Sequence, residues 1–269
     1  MKKLLACLLA LLLTACASGP HIDHEFPSSN QDSRAQFLIL HYTVTDWPKS
    51  LKVLTSGGQV SAHYLVRDDP ARIYQLVDEN RRAWHAGLSY WVGNTNLNSA
   101  SIGIEIVNKG WVDTPDGRVY AAFPKDQIDQ VIALVKDIAK RQGIRPDHIL
   151  GHEEIAPGRK QDPGPMFPWK RFAEEGVIPW PDATQVAAKQ GQYEQGPLPD
   201  AVWVQEHLGH FGYEIAHTGQ DDRQTHDVIA TFQAKYRSSK DDGVLDAETA
   251  ALIDVATTKG GMVLAPPKP

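Results

Sequence analysis

The stretch from Gly151 to Pro165 places His152, Lys160 and Asp162 among three prolines and three glycines. Proline and glycine at that density exclude a helix and force a loop of defined shape. A loop rich in ligand-type side chains is a stronger functional signal than the same residues on a solvated helix. Upstream, the apolar run Phe37-Leu38-Ile39-Leu40 ends directly in His41. Two histidines and one carboxylate, brought together by folding, make a metal site with one coordination position left open. His152-Glu153 begins like the zinc-protease pattern H-E-x-x-H, but Ala156 stands where the second histidine is needed and Pro157 follows, so that reading is excluded.

Cysteine usage restricts the site further. Cys7 and Cys16 are the chain's two cysteines. Lys2 and Lys3 precede ten apolar residues, Leu4 to Leu13. That is half of the roughly 20 residues a membrane span requires, so residues 1–15 read as a signal peptide. It ends in Leu13-Thr14-Ala15-Cys16, which resembles the bacterial lipobox, with Cys16 as the acylated residue. Ala17 rather than aspartate at the next position resembles the sorting signal for the outer membrane, facing the periplasm. An ordinary secretory signal with an incidental cysteine is the alternative. The mature chain then has no thiol, and a metal must be held by histidine and carboxylate alone.

Composition is that of a globular protein: 42% hydrophobic and 22% charged residues, enough to bury a sizeable core. Cleavage after residue 15 removes two lysines and no acids, taking the formal charge from -6 to -8. There is no basic stripe to attract nucleic acid, and the acidic balance argues against a second, electrostatic membrane contact. Monomer is the default expectation.

Residues 16–35 are polar, without apolar periodicity, and read as a tether. From residue 36 to 180, strand-like runs (Phe37–Thr43, Val60–Val66, Arg72–Val77, Ser101–Val107) alternate with turns and helices. In one of them Ile102, Ile104 and Ile106 alternate with Gly103 and Glu105, so Glu105 faces away from the isoleucines. Pro124 to Gln142 carries the clearest helical pattern, with Ile128, Val131, Ile132, Val135 and Ile138 on one face and Gly143 ending it. His148-Ile149-Leu150 is a short strand delivering His152 to its loop, and Pro168 to Phe172 starts another helix. This predicts an α/β domain with a mixed central sheet flanked by helices. Residues 181–197 are Gln-, Ala-, Gly- and Pro-rich, a linker by composition. Residues 198–258 read as a small three-helix domain, with Asp246 as an N-cap, and 259–269 as a tail.

The segments Leu38-Ile39-Leu40-His41-Tyr42-Thr43, Val60 to Val66, Ala83-Trp84-His85-Ala86-Gly87, Ser101 to Ile106 and Gly151 to Pro165 together resemble the type-2 amidase and peptidoglycan-recognition family of N-acetylmuramoyl-L-alanine amidases. The resemblance spans residues 36–180 with the segments in order. It implies one Zn2+ ion held by His41, His152 and Asp162, with Glu105 as catalytic acid/base and Lys160 as stabiliser of the developing negative oxygen. Trp84 and His85 are expected in the groove wall, where an aromatic beside a hydrogen-bonding group suits a sugar–peptide substrate. His63 is read as a sheet residue. The phrase Asp242-Gly243-Val244-Leu245-Asp246 with Thr249 resembles a three-helix peptidoglycan-binding module, whose alternative is a bundle that only packs on the first domain. His207, His210, His217 and His226 are read as surface residues. The implied partners are peptidoglycan and its muropeptides, and a membrane through lipid on Cys16. The competing function is a peptidoglycan-recognition lipoprotein that binds without cutting.

Overall fold

The structure is a computed structural model describing residues 20–56, 58–115 and 117–266. The signal peptide and Cys16 lie outside the described residues. Residues 20–32 belong to a separate unit and hold only bends and irregular chain. No helix among the described residues is long and apolar enough to cross a membrane.

The body is built on a five-stranded sheet of order β3-β2-β4-β1-β7. Its strands are β1 (Phe37–Tyr42), β2 (Tyr64–Arg67), β3 (Arg72–Gln75), β4 (Ser101–Ile106) and β7 (Ile149–Gly151). β2, β4, β1 and β7 run parallel, and β3 pairs antiparallel at the edge. Parallel strands are covered on both faces. One face carries Leu38, Leu40, Ile102, Ile104 and Ile106. It packs beneath the apolar stripe of helix α3 (Lys125–Gln142), with Trp169 and Phe172 of α4 (Trp169–Glu174) beside it. Gly143 ends α3 in the left-handed conformation, φ 69°, donating its N–H to the Ala139 carbonyl.

The other face carries Phe37, Ile39 and Leu150, and the C-terminal helices cover it: α6 (Ala201–Phe211), α7 (Arg223–Tyr236) and α8 (Ala247–Thr257). Val204, Leu208, Val228, Ile229, Phe232 and Ile253 join those strand residues in one core. The helical unit is thus the third layer of the body.

Within the 181–197 stretch, read as a linker by composition, the chain forms a helix, α5 (Ala183–Gln195). Alanine and glutamine are good helix formers, and the Asp182 side chain caps the Gln185 N–H. Lys189 and Tyr193 then bind Asp254 of α8 at 2.9 and 2.8 Å, giving the helix a tertiary anchor. The tail returns as β9 (Met262–Val263) to pair with β8 (Trp180–Pro181).

Strand β2 is shorter than its sequence pattern, beginning at Tyr64. Ahead of it, the His63 N–H donates to the Gly103 carbonyl at 3.0 Å, and His63 Nδ1 accepts the Gly103 N–H at 3.0 Å. The imidazole takes the place of a ladder carbonyl, so His63 flanks the strand rather than belonging to it. Helix α1 (Trp47–Ser56), helix α2 (Leu97–Ala100) and the hairpin β5 (Trp111–Thr114) and β6 (Gly117–Tyr120) have no counterpart in the periodicity analysis.

Candidate active site

The C-terminal ends of β1 and β4 create the site. His41 and Glu105 are paired register positions on these adjacent parallel strands. Paired positions share a face, so both side chains rise from the sheet together. From β7 the chain enters the Pro/Gly loop, anchored where the His152 N–H donates to the Leu40 carbonyl at 3.1 Å. The loop closes on itself as the Glu153 N–H donates to the Asp162 carbonyl at 2.8 Å.

Three ligand-type atoms converge. His41 Nδ1 and His152 Nδ1 are 2.9 Å apart, and Asp162 Oδ2 is 3.0 Å from each. The other ring nitrogens fix the tautomers. His152 Nε2 lies 3.0 Å from the Ala86 carbonyl, which can only accept, so Nε2 carries a proton and Nδ1 is the nitrogen through which the neutral ring can ligate. His41 is oriented through two further side chains. The Ser101 hydroxyl donates to the Leu97 carbonyl, so Ser101 Oγ accepts from His85 Nε2 at 3.2 Å. His85 Nδ1 is then the acceptor for His41 Nε2 at 3.0 Å, leaving His41 Nδ1 bare. Burial, with His152 close by, lowers the His41 pKa to about 4, so the ring is neutral at physiological pH. Two bare nitrogens and an anionic oxygen face one another without a hydrogen between them. A cation satisfies that arrangement, and the three residues form a group fit to hold a metal ion.

Around this point is a groove of about 360 Å3, lined by His41, Glu105, His152, Lys160 and Asp162 with Val44, Val53, Val60 and Trp84 along its lip. Burial, then the charge of Asp162, pushes the Glu105 carboxyl up to about 8, while Lys160 pulls the other way. Glu105 Oε2 is buried without a hydrogen-bond partner. Val44 sits at φ 51°, a costly conformation for a β-branched residue, at the edge of the groove.

The sequence-derived residues therefore meet in one place. Trp84 is exposed along the groove, with the Arg82 guanidinium 4.0 Å above its ring. His85 also borders the groove but is buried, with both ring nitrogens engaged inside the protein. Its ring lies flat against Gly103, where a Cβ would stand 2.4 Å from His85 Cγ. Ser101 and Gly103 escaped the sequence reading, although they share the Glu105 face of β4. Arg118 of the hairpin, which donates to Gln161 Oε1 at 2.9 Å, escaped it too.

Fold and site together define a metal-site amide hydrolase. The profile of the N-acetylmuramoyl-L-alanine amidase family matches residues 31–165, and that of a putative peptidoglycan binding domain matches residues 198–253. The chain belongs to the N-acetylmuramoyl-L-alanine amidase family. It is 39% identical to the N-acetylmuramoyl-L-alanine amidase AmiD of Escherichia coli K12, over 94% of this chain and 96% of the relative. Among solved structures it is similar to E. coli AmiD in complex with the substrate anhydro-N-acetylmuramic acid-L-Ala-D-gamma-Glu-L-Lys. That match has 38% identity and TM-score 0.79, covering 88% of this chain and 93% of AmiD. It is likewise similar to AmpDh3 of Pseudomonas aeruginosa in complex with anhydromuramic pentapeptide, at 37% identity and TM-score 0.80, covering 87% and 96% of the two chains.

Proposed function

We propose that this chain is a zinc-dependent hydrolase of the amide bond between N-acetylmuramic acid and L-alanine in peptidoglycan or its fragments, tethered to the outer membrane by lipid on Cys16 and facing the periplasm. The observation that carries the reading is the triangle of bare ligand atoms on His41, His152 and Asp162, with an unpartnered Glu105 oxygen in the same groove. The solved complexes of AmiD and AmpDh3 with anhydromuramyl peptides support the substrate class.

Zinc, when bound, supplies Lewis acidity and lowers the pKa of a bound water from about 15.7 to about 7. Glu105 takes a proton from the attacking water and returns it to the leaving amine of L-alanine. Burial raises the Glu105 carboxyl above the ordinary carboxylate range, which strengthens it as a base for that proton. The Lys160 ammonium, presented by the same rigid loop as Asp162, faces the oxygen on which negative charge develops. Trp84 and the valines of the lip offer apolar surface to the sugar and stem peptide. His85 serves His41 instead of the substrate. The polar, irregular chain over residues 20–32 suits a tether.

Mass spectrometry of products from defined muropeptides, with and without a chelator, tests the reaction. The expected result is scission at the lactyl–alanine bond that stops on chelation and returns with zinc. Muropeptide that is bound but left intact by the zinc-loaded protein would instead establish the recognition function. For the anchor, Cys16→Ser is expected to move the protein from the membrane to the soluble fraction, and continued membrane association would defeat the lipid assignment.

A further inference from the structure

Helix α7 of the C-terminal unit places a charged side chain where its apolar stripe meets the sheet. Val228, Ile229 and Phe232 are buried in the shared core, and Lys235 follows at the next helical repeat, buried too. Its ammonium lies 2.9 and 2.8 Å from the two carboxylate oxygens of Glu154 and 3.3 Å from the Ile149 carbonyl. Trp169 is stacked 4.4 Å from the same nitrogen. The side chains of Lys235 and Glu154 are only 3% and 1% exposed.

A fully buried ion pair is poor glue, since a leucine at position 235 would hold two apolar layers together at least as well. What the pair adds is a fixed geometry, because each charge must stay opposite the other. Glu154 passes that constraint on. Its Oε2 also accepts the Gly151 N–H at 2.7 Å, closing the turn that contains His152. Two further fastenings lie along the same loop. Ile155 is buried in the core with Val228 and Phe232. Gly158 lies so close to α7 that a Cβ there would stand 2.5 Å from Asp227 Oδ2.

We infer that the C-terminal helical unit clamps the loop carrying His152, Lys160 and Asp162, and that Lys235 is a positioning residue acting through Glu154. A unit matched by a peptidoglycan-binding profile thus has a second task, holding two ligands of the metal site in register with the third. The metal arm of this inference rests on the ligand assignment above.

The test compares the full chain with Lys235→Met, Glu154→Gln and the double variant. Zinc affinity, by competition with a chromogenic chelator, is expected to fall about 10–100-fold in Lys235→Met. In the metal-free protein, amide exchange at Gly151 and Glu153 is expected to accelerate. The double variant orphans no charge but lacks the pair, so its melting temperature recovers while zinc affinity and exchange stay perturbed as in Lys235→Met. Glu154→Gln reads the same link from the loop side, and serves if Lys235→Met fails to fold. Wild-type zinc affinity and exchange in the single variants, whatever melting temperature they lose, would overturn the inference, as would recovery of both readouts in the double variant, which would trace the loss to an orphaned charge alone. Wild-type protein that takes up no zinc would defeat the ligand assignment, while the exchange measurements still decide the clamp.

Discussion

Gly103→Ala isolates the chain of hydrogen bonds behind His41 with a single methyl group. Built on the existing backbone, the new Cβ stands 2.4 Å from His85 Cγ, 2.6 Å from Nδ1 and 2.7 Å from Cδ2. Carbon atoms pack at about 3.5 Å or more, so the ring must retreat by about 1 Å. The backbone cannot yield instead, because β4 is held by β1 on one side and by β2 and His63 on the other. Nδ1 is among the three displaced atoms, and it is the acceptor for the His41 Nε2 proton at 3.0 Å. The opposing bond to Ser101, already 3.2 Å, has little slack before it ceases to be one. Replacing glycine by alanine in a strand ordinarily gains about 0.4–1 kcal/mol through the unfolded state. Overpacking costs about 1–3 kcal/mol, so the clash decides the sign and the variant is less stable. Weakening an outer partner of a ligand histidine costs about 10–100-fold in metal affinity. The discriminating assay is a cycle with His85→Ala, read by calorimetry and zinc competition. With the ring gone the methyl group has room, so Gly103→Ala adds no destabilisation and no further loss of zinc affinity in that background. Additive effects of the two substitutions, or wild-type zinc affinity in Gly103→Ala, would refute the proposed dependence of His41 on His85.

Glu105→Gln is expected to retain zinc by elemental analysis yet lose about 10²–10⁴-fold in turnover, and a near wild-type rate would remove Glu105 from the chemistry. Asp162→Ala is expected to lose the metal, and full zinc content in the purified variant would exclude it as a ligand. Away from the site, the hydrogen bond from Arg141 outweighs burial and, with Tyr64 and Gln142, lowers the Glu79 carboxyl to about 2. A depressed carboxyl contributes stability above its unfolded pKa, near 4.5, and loses it as pH falls towards the folded value. The gap in melting temperature between wild type and Glu79→Gln should therefore be full near neutral pH and close between about 4.5 and about 2. A gap independent of pH would show that the pair contributes by packing alone.

What sequence made legible was chemistry concentrated in one place. His152, Lys160 and Asp162 stand within eleven residues of a loop whose prolines and glycines declare its rigidity, and His41 ends a run too apolar to be anything but a core strand. Composition marked residues 181–197 as a connection but not its conformation: alanine and glutamine favour a helix there, and docking on α8 anchors it. Hydrophobic spacing marked the apolar faces of the C-terminal helices but not what covers them. Whether a three-helix unit stands alone or forms the third layer of another domain depends on partners far off in sequence, Glu154 for Lys235 and Phe37 and Ile39 for the helical core. One local clue was available: Lys235 follows Val228 and Phe232 at the spacing of a core position, and a lysine there implies a buried carboxylate to meet it.

The β4 strand shows how the two kinds of information combine. Alternation of Ile102, Ile104 and Ile106 with other residues reads as a strand with one apolar and one polar face, and an exposed polar face would explain Glu105 without any function. In the folded chain the opposite face is not a solvated surface. Ser101 accepts from His85, Gly103 leaves room for its ring, and Glu105 borders the metal triangle, each two residues beyond the last. A hydroxyl, an absent side chain and a carboxyl would be an odd sequence for a wet surface, where long polar side chains are as acceptable as short ones. They make sense only when something large and specific, here a buried imidazole, presses on the strand at its middle position. The pleat spaces the three positions along one row, and the parallel register carries the row across to His41 on β1. In the proposed mechanism, ligand orientation and proton transfer therefore share a single strand, and a change at Gly103 is expected to reach His41 through His85 without altering Glu105 or Lys160.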